Sequence, residues 1–273
     1  MTTIQVPRRQ KTRLDAALVD RGLAPSREKA ARLILAGAVT VDGHRVDKAG
    51  TLVAAASRIE TASAPRYVSR GGDKLAHALA AFGVSPRGRI CLDAGASTGG
   101  FTHCLLEGGA ARVYAVDVGA GQMDAGLRAD PRVHLMDRVN ARALSPAAFA
   151  IPPSLATVDV SFISLEKVLP AVLGVLAEGG EAVVLVKPQF EVGKGQVGKG
   201  GVVRDPAQHR QVLERVSAWC DNAGWPPRGV TASPLVGPKG NREFFLLLTK
   251  TGRTLTELDA LIAQTTAEEV PVP

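Results

Sequence analysis

Apolar and polar positions recur along this chain with two different periods, and the changes of period mark its elements. In LDAALVDRGL, Leu14, Ala17 and Leu18 fall at helical spacing and Gly22 stops the run. Ser26 stands where a cap belongs for a second helix, SREKAARLILAG, whose Ala30, Leu33 and Ile34 form one apolar stripe and which ends at Gly37. Lys29 and Arg32, three apart, share another face of that helix. VTVDGHRV then switches to a period of two around Asp42-Gly43, the signature of a tight hairpin. After a stretch rich in small residues and proline, ASAPR, the pattern from Ile90 onward alternates apolar runs with helical ones. The runs are RICLDAG, RVYAVDV, RVHLM, LATVDVSF, EAVVLVKP and, after a long gap, REFFLLLTK. Strands alternating with helices predict an α/β, Rossmann-like domain on a mostly parallel, doubly wound sheet. The expected division is a small α+β domain with a basic arm over 1–61, a linker over 62–68, the α/β domain over 69–252 and an extension over 253–273. The final TAEEVPVP is expected to be disordered.

The net charge of +7 becomes informative once located: residues 1–75 carry 14 Lys/Arg against 7 Asp/Glu, and the remainder carries 19 of each. A basic module on a neutral body is the footprint of a grip on a polyanion, because phosphate neutralisation dominates nucleic-acid affinity. A basic stretch that only aids solubility has the same composition. The cysteines, Cys91, Cys104 and Cys220, are odd in number and lack paired or metal-type spacing. That pattern points to buried thiols in a reducing cytosol and to no metal. The N-terminal MTTIQVPRRQK lacks the apolar core of a signal peptide, and the longest uncharged stretch is broken by Pro146, Pro152 and Pro153. A cytoplasmic monomer without a membrane partner is the expectation.

The segment from Ile90 to Phe101 joins a strand to a helix through a turn of small residues, Gly95, Ser97, Thr98, Gly99 and Gly100. Small residues let a ligand approach the backbone, and the amides that open a helix are ready donors. The spacing of Asp93, Gly95 and Gly99 resembles that of enzymes using S-adenosylmethionine (SAM), not the G-x-G-x-x-G of dinucleotide dehydrogenases. On that resemblance Asp93 orients the methionine end of SAM. Asp117 ends the next strand, 22 residues after Gly95, where a carboxylate accepts both ribose hydroxyls, and Asp137 after the third strand meets the adenine amine. Two acids that merely cap helices would look the same. GKGQVGKGG at 193–201 nearly spells a phosphate-binding loop, but Gly200 stands where Ser or Thr would hold magnesium. A mobile basic loop over the active site, or a solvated one, is expected there.

Asp159-Val-Ser-Phe162 ends the fourth strand, where such enzymes place the acceptor. Enzymes that methylate base amines carry a Pro-Pro pair here, which is missing, and none of the cysteines fits a cytosine C5 nucleophile. A ribose hydroxyl remains, which must lose its proton to attack. Lys187 ends the fifth strand, beside Asp159 if strands four and five are neighbours; it can take that proton or, as a cation, steady the oxygen. Phe162 either stacks on a flipped base or belongs to the core.

Residues 13 to about 60 resemble the S4-type RNA-binding module. Lys74, Asp159, Lys187 and Glu243 match in order the K-D-K-E tetrad of FtsJ-like ribose methyltransferases. Together with YVSRGGDKL, LDAGASTGGFT, DVSFISL, VKPQFE and GNREFF, the chain is similar throughout to the TlyA, or haemolysin-like, family. The resemblance implies SAM-dependent 2′-O-methylation of cytidine in ribosomal RNA within ribosomal subunits, the large one first, with the small one as a second candidate. It assigns RNA contacts to Arg13, Arg27, Lys29, Arg32, Arg66, Tyr67, Arg70 and Phe162. Tyr67 stands where some members carry Trp. Rival readings are a SAM-dependent base methyltransferase of ribosomal or transfer RNA and a membrane-lytic protein.

Overall fold

The computed structural model describes residues 11–35, 38–61, 66–193, 195–237 and 239–268. Contacts divide the chain into two units, Met1–Arg66 and Tyr67–Pro273.

The first unit runs β1 (Lys11–Arg13), α1 (Leu14–Asp20), α2 (Arg27–Leu35), β2 (Val39–Val41), β3 (His44–Arg45), β4 (Leu52–Ala54) and β5 (Ile59–Thr61). The two helices and the hairpin lie where their periodicity predicts them. Asp42 and Gly43 have φ of 52° and 81°, the left-handed pair that a two-residue turn between twisted strands requires. The Ser26 hydroxyl accepts from the amide of Lys29, capping α2. Gly37 lies outside the described residues. Three short strands were not foreseen: β1 pairs with β4, and β5 pairs with β2 on the side away from β3. They close over a core of Leu14, Leu18, Ala30, Ile34, Val39 and Val53.

The second unit runs α3 (Arg70–Phe82), β6 (Ile90–Ala94), α4 (Gly100–Glu107), β7 (Arg112–Asp117), α5 (Ala125–Ala129), β8 (Val133–Asp137), β9 (Leu155–Val158), α6 (Leu169–Gly174), β10 (Glu181–Val186), α7 (Pro188–Glu191), α8 (Pro206–Asn222), β11 (Pro227–Ala232), β12 (Phe244–Thr249) and α9 (Leu258–Ala267). Its sheet has the order β11-β12-β10-β9-β6-β7-β8. β12 runs antiparallel to both neighbours, and the pairs from β10 to β8 are parallel. Helices cover both faces, so the strands are apolar at nearly every position. Alternate residues feed two cores: Leu92, Val184 and Phe244 enter one, Cys91, Val183 and Phe245 the other.

Two expectations change here. The gap before the last strand contains β11, hidden in the sequence because PRGVTA interrupts its apolar positions with Pro, Arg and Gly. The α/β body also does not stop at 252. Helix α9 buries Leu258 and Ile262 in the sheet's core, and Arg242 donates to the carbonyls of Thr265 and Thr266 at its end. Of TAEEVPVP, residues 266–267 are therefore helical, and the last five lie outside the described residues. No described helix is long and apolar enough to cross a membrane.

Candidate active site

The chain runs outward from β6 through β7 to β8, then returns to β9 on the other side of β6. Such a reversal opens a crevice at the carboxyl ends of the strands, where doubly wound sheets bind ligands. Here the crevice starts at Gly95. A side chain at that position would place its Cβ 2.3 Å from the Asp159 carbonyl oxygen, and its φ of 91° is left-handed, so only glycine lets the two strand ends meet.

Two cavities occupy the crevice and share Gly95, Ser97, Asp159, Ser161 and Phe162 as walls. The smaller, about 480 Å³, lies between the ends of β6, β7 and β9, with Asp117, Gln122 and Asn140 among apolar Val116, Val139, Val160 and Ile163. Asp117 accepts from the Ser97 amide at 2.9 Å through one oxygen and from the Gly119 amide at 2.7 Å through the other. Each oxygen keeps a lone pair, since a carboxylate offers about four acceptor sites. A carboxylate at the end of an apolar slot suits a nucleoside, with its diol on the acid and its base between aliphatic walls.

The larger cavity, about 800 Å³, gathers Lys74, Asp159, Lys187 and Glu243 together with Thr98, Gly100 and Phe101. Helix α3 carries Lys74 inward, and its Nζ meets the Glu243 carboxylate at 2.6 Å, with 2% of the Glu243 side chain exposed. Because β9 and β10 are neighbours, Lys187 stands 2.5 Å from Asp159 and donates to the Ser161 hydroxyl at 2.9 Å. The expected pairing thus follows from strand order. A crevice with two ammonium–carboxylate pairs on its walls can hold a hydroxyl and steady charge that develops on it.

Phe162 is 90% exposed, so it is not core, and it lies 5.0 Å from Phe190 between ring centroids. Its φ of +64° is rare for a bulky residue and of a kind that costs about 1–3 kcal/mol; such strain clusters at functional sites.

Several predicted site residues stand elsewhere. Asp93 is fully buried beneath the turn, held by the hydroxyls of Thr102 and Thr157 at 2.7 and 3.2 Å, and lines neither cavity. Burial pushes its carboxyl up to about 7, against the two hydroxyls that draw it down. Asp137 also lines neither cavity. Its carboxylate accepts from the Gly121 amide, fastening the loop after β7, while Asn140 faces the slot. Gly99 lies behind the turn with φ of 94°, its face against Leu127. Tyr67 is buried, edge-on to His103 and packed on Gly72, so it belongs to the core and not to an RNA surface.

Of the remaining basic residues, Arg70 lines the larger cavity. Arg66 and Lys29 are exposed. Arg13 and Arg27 both bind the buried Asp15, whose carboxyl the Arg13 guanidinium holds far below the usual range, yet more than half of each arginine side chain stays open. The Arg32 side chain lies outside the described atoms. The glycine-rich segment is anchored where it ends: Asn241 accepts from the Val203 amide and donates to the Gly201 carbonyl, each at 2.9 Å, and Val197 and Gly201 line the larger cavity. Lys194 lies outside the described residues. Ser161, Gln189, Phe190 and Asn140 were missed; the first three sit inside the quoted motifs DVSFISL and VKPQFE, which was the available signal.

Fold and site define a methyltransferase of the FtsJ-like class: the FtsJ-like methyltransferase family matches residues 67–250, and the S4 domain family matches residues 12–59. The chain is 52% identical over 250 residues to the 16S/23S rRNA (cytidine-2'-O)-methyltransferase TlyA of Mycobacterium tuberculosis, covering 90% of this chain and 93% of that protein. It is 41% identical to Hemolysin A of Brachyspira hyodysenteriae, over 85% and 97% of the two chains. A solved hemolysin-named protein of Streptococcus thermophilus superposes with a TM-score of 0.72 at 42% identity, covering 94% of this chain and 96% of that one. The chain belongs to the TlyA family.

Proposed function

We propose that this protein methylates the ribose 2′-hydroxyl of a cytidine in ribosomal RNA, using SAM. The observation that carries the reading is the meeting of two lysine–carboxylate pairs in one cavity that adjoins a nucleoside-sized slot. In it, Asp117 accepts the ribose hydroxyls of the cofactor, and Val116, Val139 and Ile163 flank its base. SAM, when bound, supplies an electrophilic methyl on a sulfonium. Lys187, an ammonium paired with Asp159, offers positive charge to the acceptor oxygen, whose proton is released to water. Lys74 and Glu243 line the same cavity as a second pair. Phe162 stacks on the base once the nucleotide is flipped out, a role that its exposure supports. The thiols of Cys91 and Cys220 are buried and pushed up to about 12 by burial, which disfavours the thiolate chemistry of cytosine C5 methylation. The S4 unit grips RNA through Lys29 and the exposed ends of Arg13 and Arg27.

The test is transfer of labelled methyl from SAM to separated 30S and 50S subunits, with nuclease digestion and nucleoside analysis. The expected product is 2′-O-methylcytidine. Label on a base, or none in RNA from either subunit, would overturn the reading.

A further inference from the structure

The strained segment that presents Phe162 is gripped on both sides of that residue by one short stretch of chain, Lys187 to Glu191. Upstream, Lys187 holds Asp159 and Ser161. Downstream, the Glu191 carboxylate accepts from the Leu165 amide at 2.7 Å through one oxygen and from the Ser164 hydroxyl at 2.9 Å through the other. Phe190, next to Glu191, lies against the Phe162 ring. Glu191 is itself buried and fixed: Arg215 on α8 donates to its carbonyl at 2.8 Å, reaches its carboxylate at 3.3 Å and also pairs with Glu166. A left-handed, solvent-exposed Phe persists only where its surroundings over-determine the backbone. Nothing in the chemistry of Lys187 requires a buried glutamate four residues on, and the contacts of that glutamate fall on Ser164 and Leu165, just past residue 162.

We propose that Glu191 is a positioning residue that acts through Phe162, clamping the Asp159–Leu165 segment so that the aromatic ring is presented to the target base. The inference rests on the RNA-methylation reading above. Phe162 makes the contact with substrate, and Glu191, backed by Arg215, keeps that ring in one orientation before RNA arrives, so less ordering is left for the binding step.

Two measurements test it, one independent of activity. In the full-length protein carrying 4-fluorophenylalanine at position 162, fluorine NMR is expected to show one narrow line, which Glu191→Ala broadens or splits. An unchanged line would overturn the clamp. In methyl transfer to ribosomal subunits, Glu191→Ala is expected to lower kcat/KM by about ten- to a hundredfold, the scale of a misplaced positioning contact, while SAM affinity stays unchanged. Glu191→Gln, which keeps an acceptor for Leu165 and a partner for Ser164, is expected to recover most of that loss. Combined with Phe162→Ala, Glu191→Ala should add little, because both remove the same contact; losses that multiply would mean that Glu191 acts elsewhere and sink the proposal. If Glu191→Ala does not fold, Ser164→Ala takes its place in both measurements with the same expectations. A parent enzyme that labels no RNA would remove the proposed reaction, while the fluorine line would still decide the clamp.

Discussion

Glu243 and Lys74 form the most deeply buried ion pair at the site, and this burial predicts a separation of stability from catalysis. Their contact is 2.6 Å, with 2% and 11% of the respective side chains exposed. Removing one member of a buried pair leaves the other charge out of water without compensation, a loss of about 3–5 kcal/mol. Lys74→Met strands the more buried partner and should fall at the upper end, whereas Glu243→Ala strands a lysine that the cavity can hydrate and should fall at the lower end. In a unit of this size each kcal/mol moves the melting temperature by roughly 2–4 °C, so the singles should melt about 6–20 °C below the parent. Replacing both charges together, Lys74→Met with Glu243→Leu, should recover most of that loss, because a buried pair exchanged for apolar groups of similar volume is often neutral. Methyl transfer should stay absent in all three. Scanning calorimetry and labelled-SAM transfer read the two effects separately. A Glu243→Ala melting temperature within about 2 °C of the parent, or a double variant less stable than both singles, would refute the reasoning.

Asp117→Ala should weaken SAM binding roughly ten- to a hundredfold, the loss of about 1.5–3 kcal/mol of charged hydrogen bonding, and calorimetry showing unchanged affinity would remove it from the site. Lys187→Ala should abolish methyl transfer while SAM and subunit binding persist; a rate within about threefold of the parent would end its catalytic role. Lys187→Arg should keep partial activity if the residue acts as a cation, since guanidinium cannot take a proton. Asp93, raised to about 7 by burial, keeps its proton when folded through the window from about 4 to 7 in which the unfolded chain has lost it. Stability should therefore fall as pH rises through that window, by roughly 4 kcal/mol, and the melting temperature of Asp93→Asn relative to the parent should climb over the same range; a pH-independent difference would count against it. Neutralising Lys29 should lower the salt slope of RNA binding by about 0.7–0.9 if it contacts a phosphate, and an unchanged slope would clear it of that role.

Much of the site was legible because its residues end strands. Periodicity located β6, β7, β8, β9, β10 and β12, and a residue just past an apolar run in a parallel sheet stands at the edge where the two cavities open, as Asp117, Asp159 and Lys187 do. Asp93 and Asp137 stand at the same edge without lining either cavity, the one buried against the Thr102 and Thr157 hydroxyls, the other accepting from the Gly121 amide. At a strand's last residue the side chain points to one face or the other, and a single sequence does not tell which face carries the cavity. Tyr67 is another residue whose surroundings the sequence hides: its chain neighbours Arg66 and Val68 are exposed, but the small surface of Gly72 opens a place for its ring in the core.

Local sequence by itself determined the alternation of elements, the basic character of the first unit, the hairpin at Asp42-Gly43 and the chemical types available to the site, because each depends on spacing or composition within a few residues. Tertiary structure alone decided which of those groups meet. Lys74 reaches Glu243 across 169 positions, and Lys187 reaches Asp159 because β10 lies beside β9. It also drew α9 into the body and β11 to the sheet's edge, and it turned Glu191 inward onto Ser164 and Leu165. These outcomes depend on long-range burial and strand order, which no local pattern of apolar and polar residues encodes.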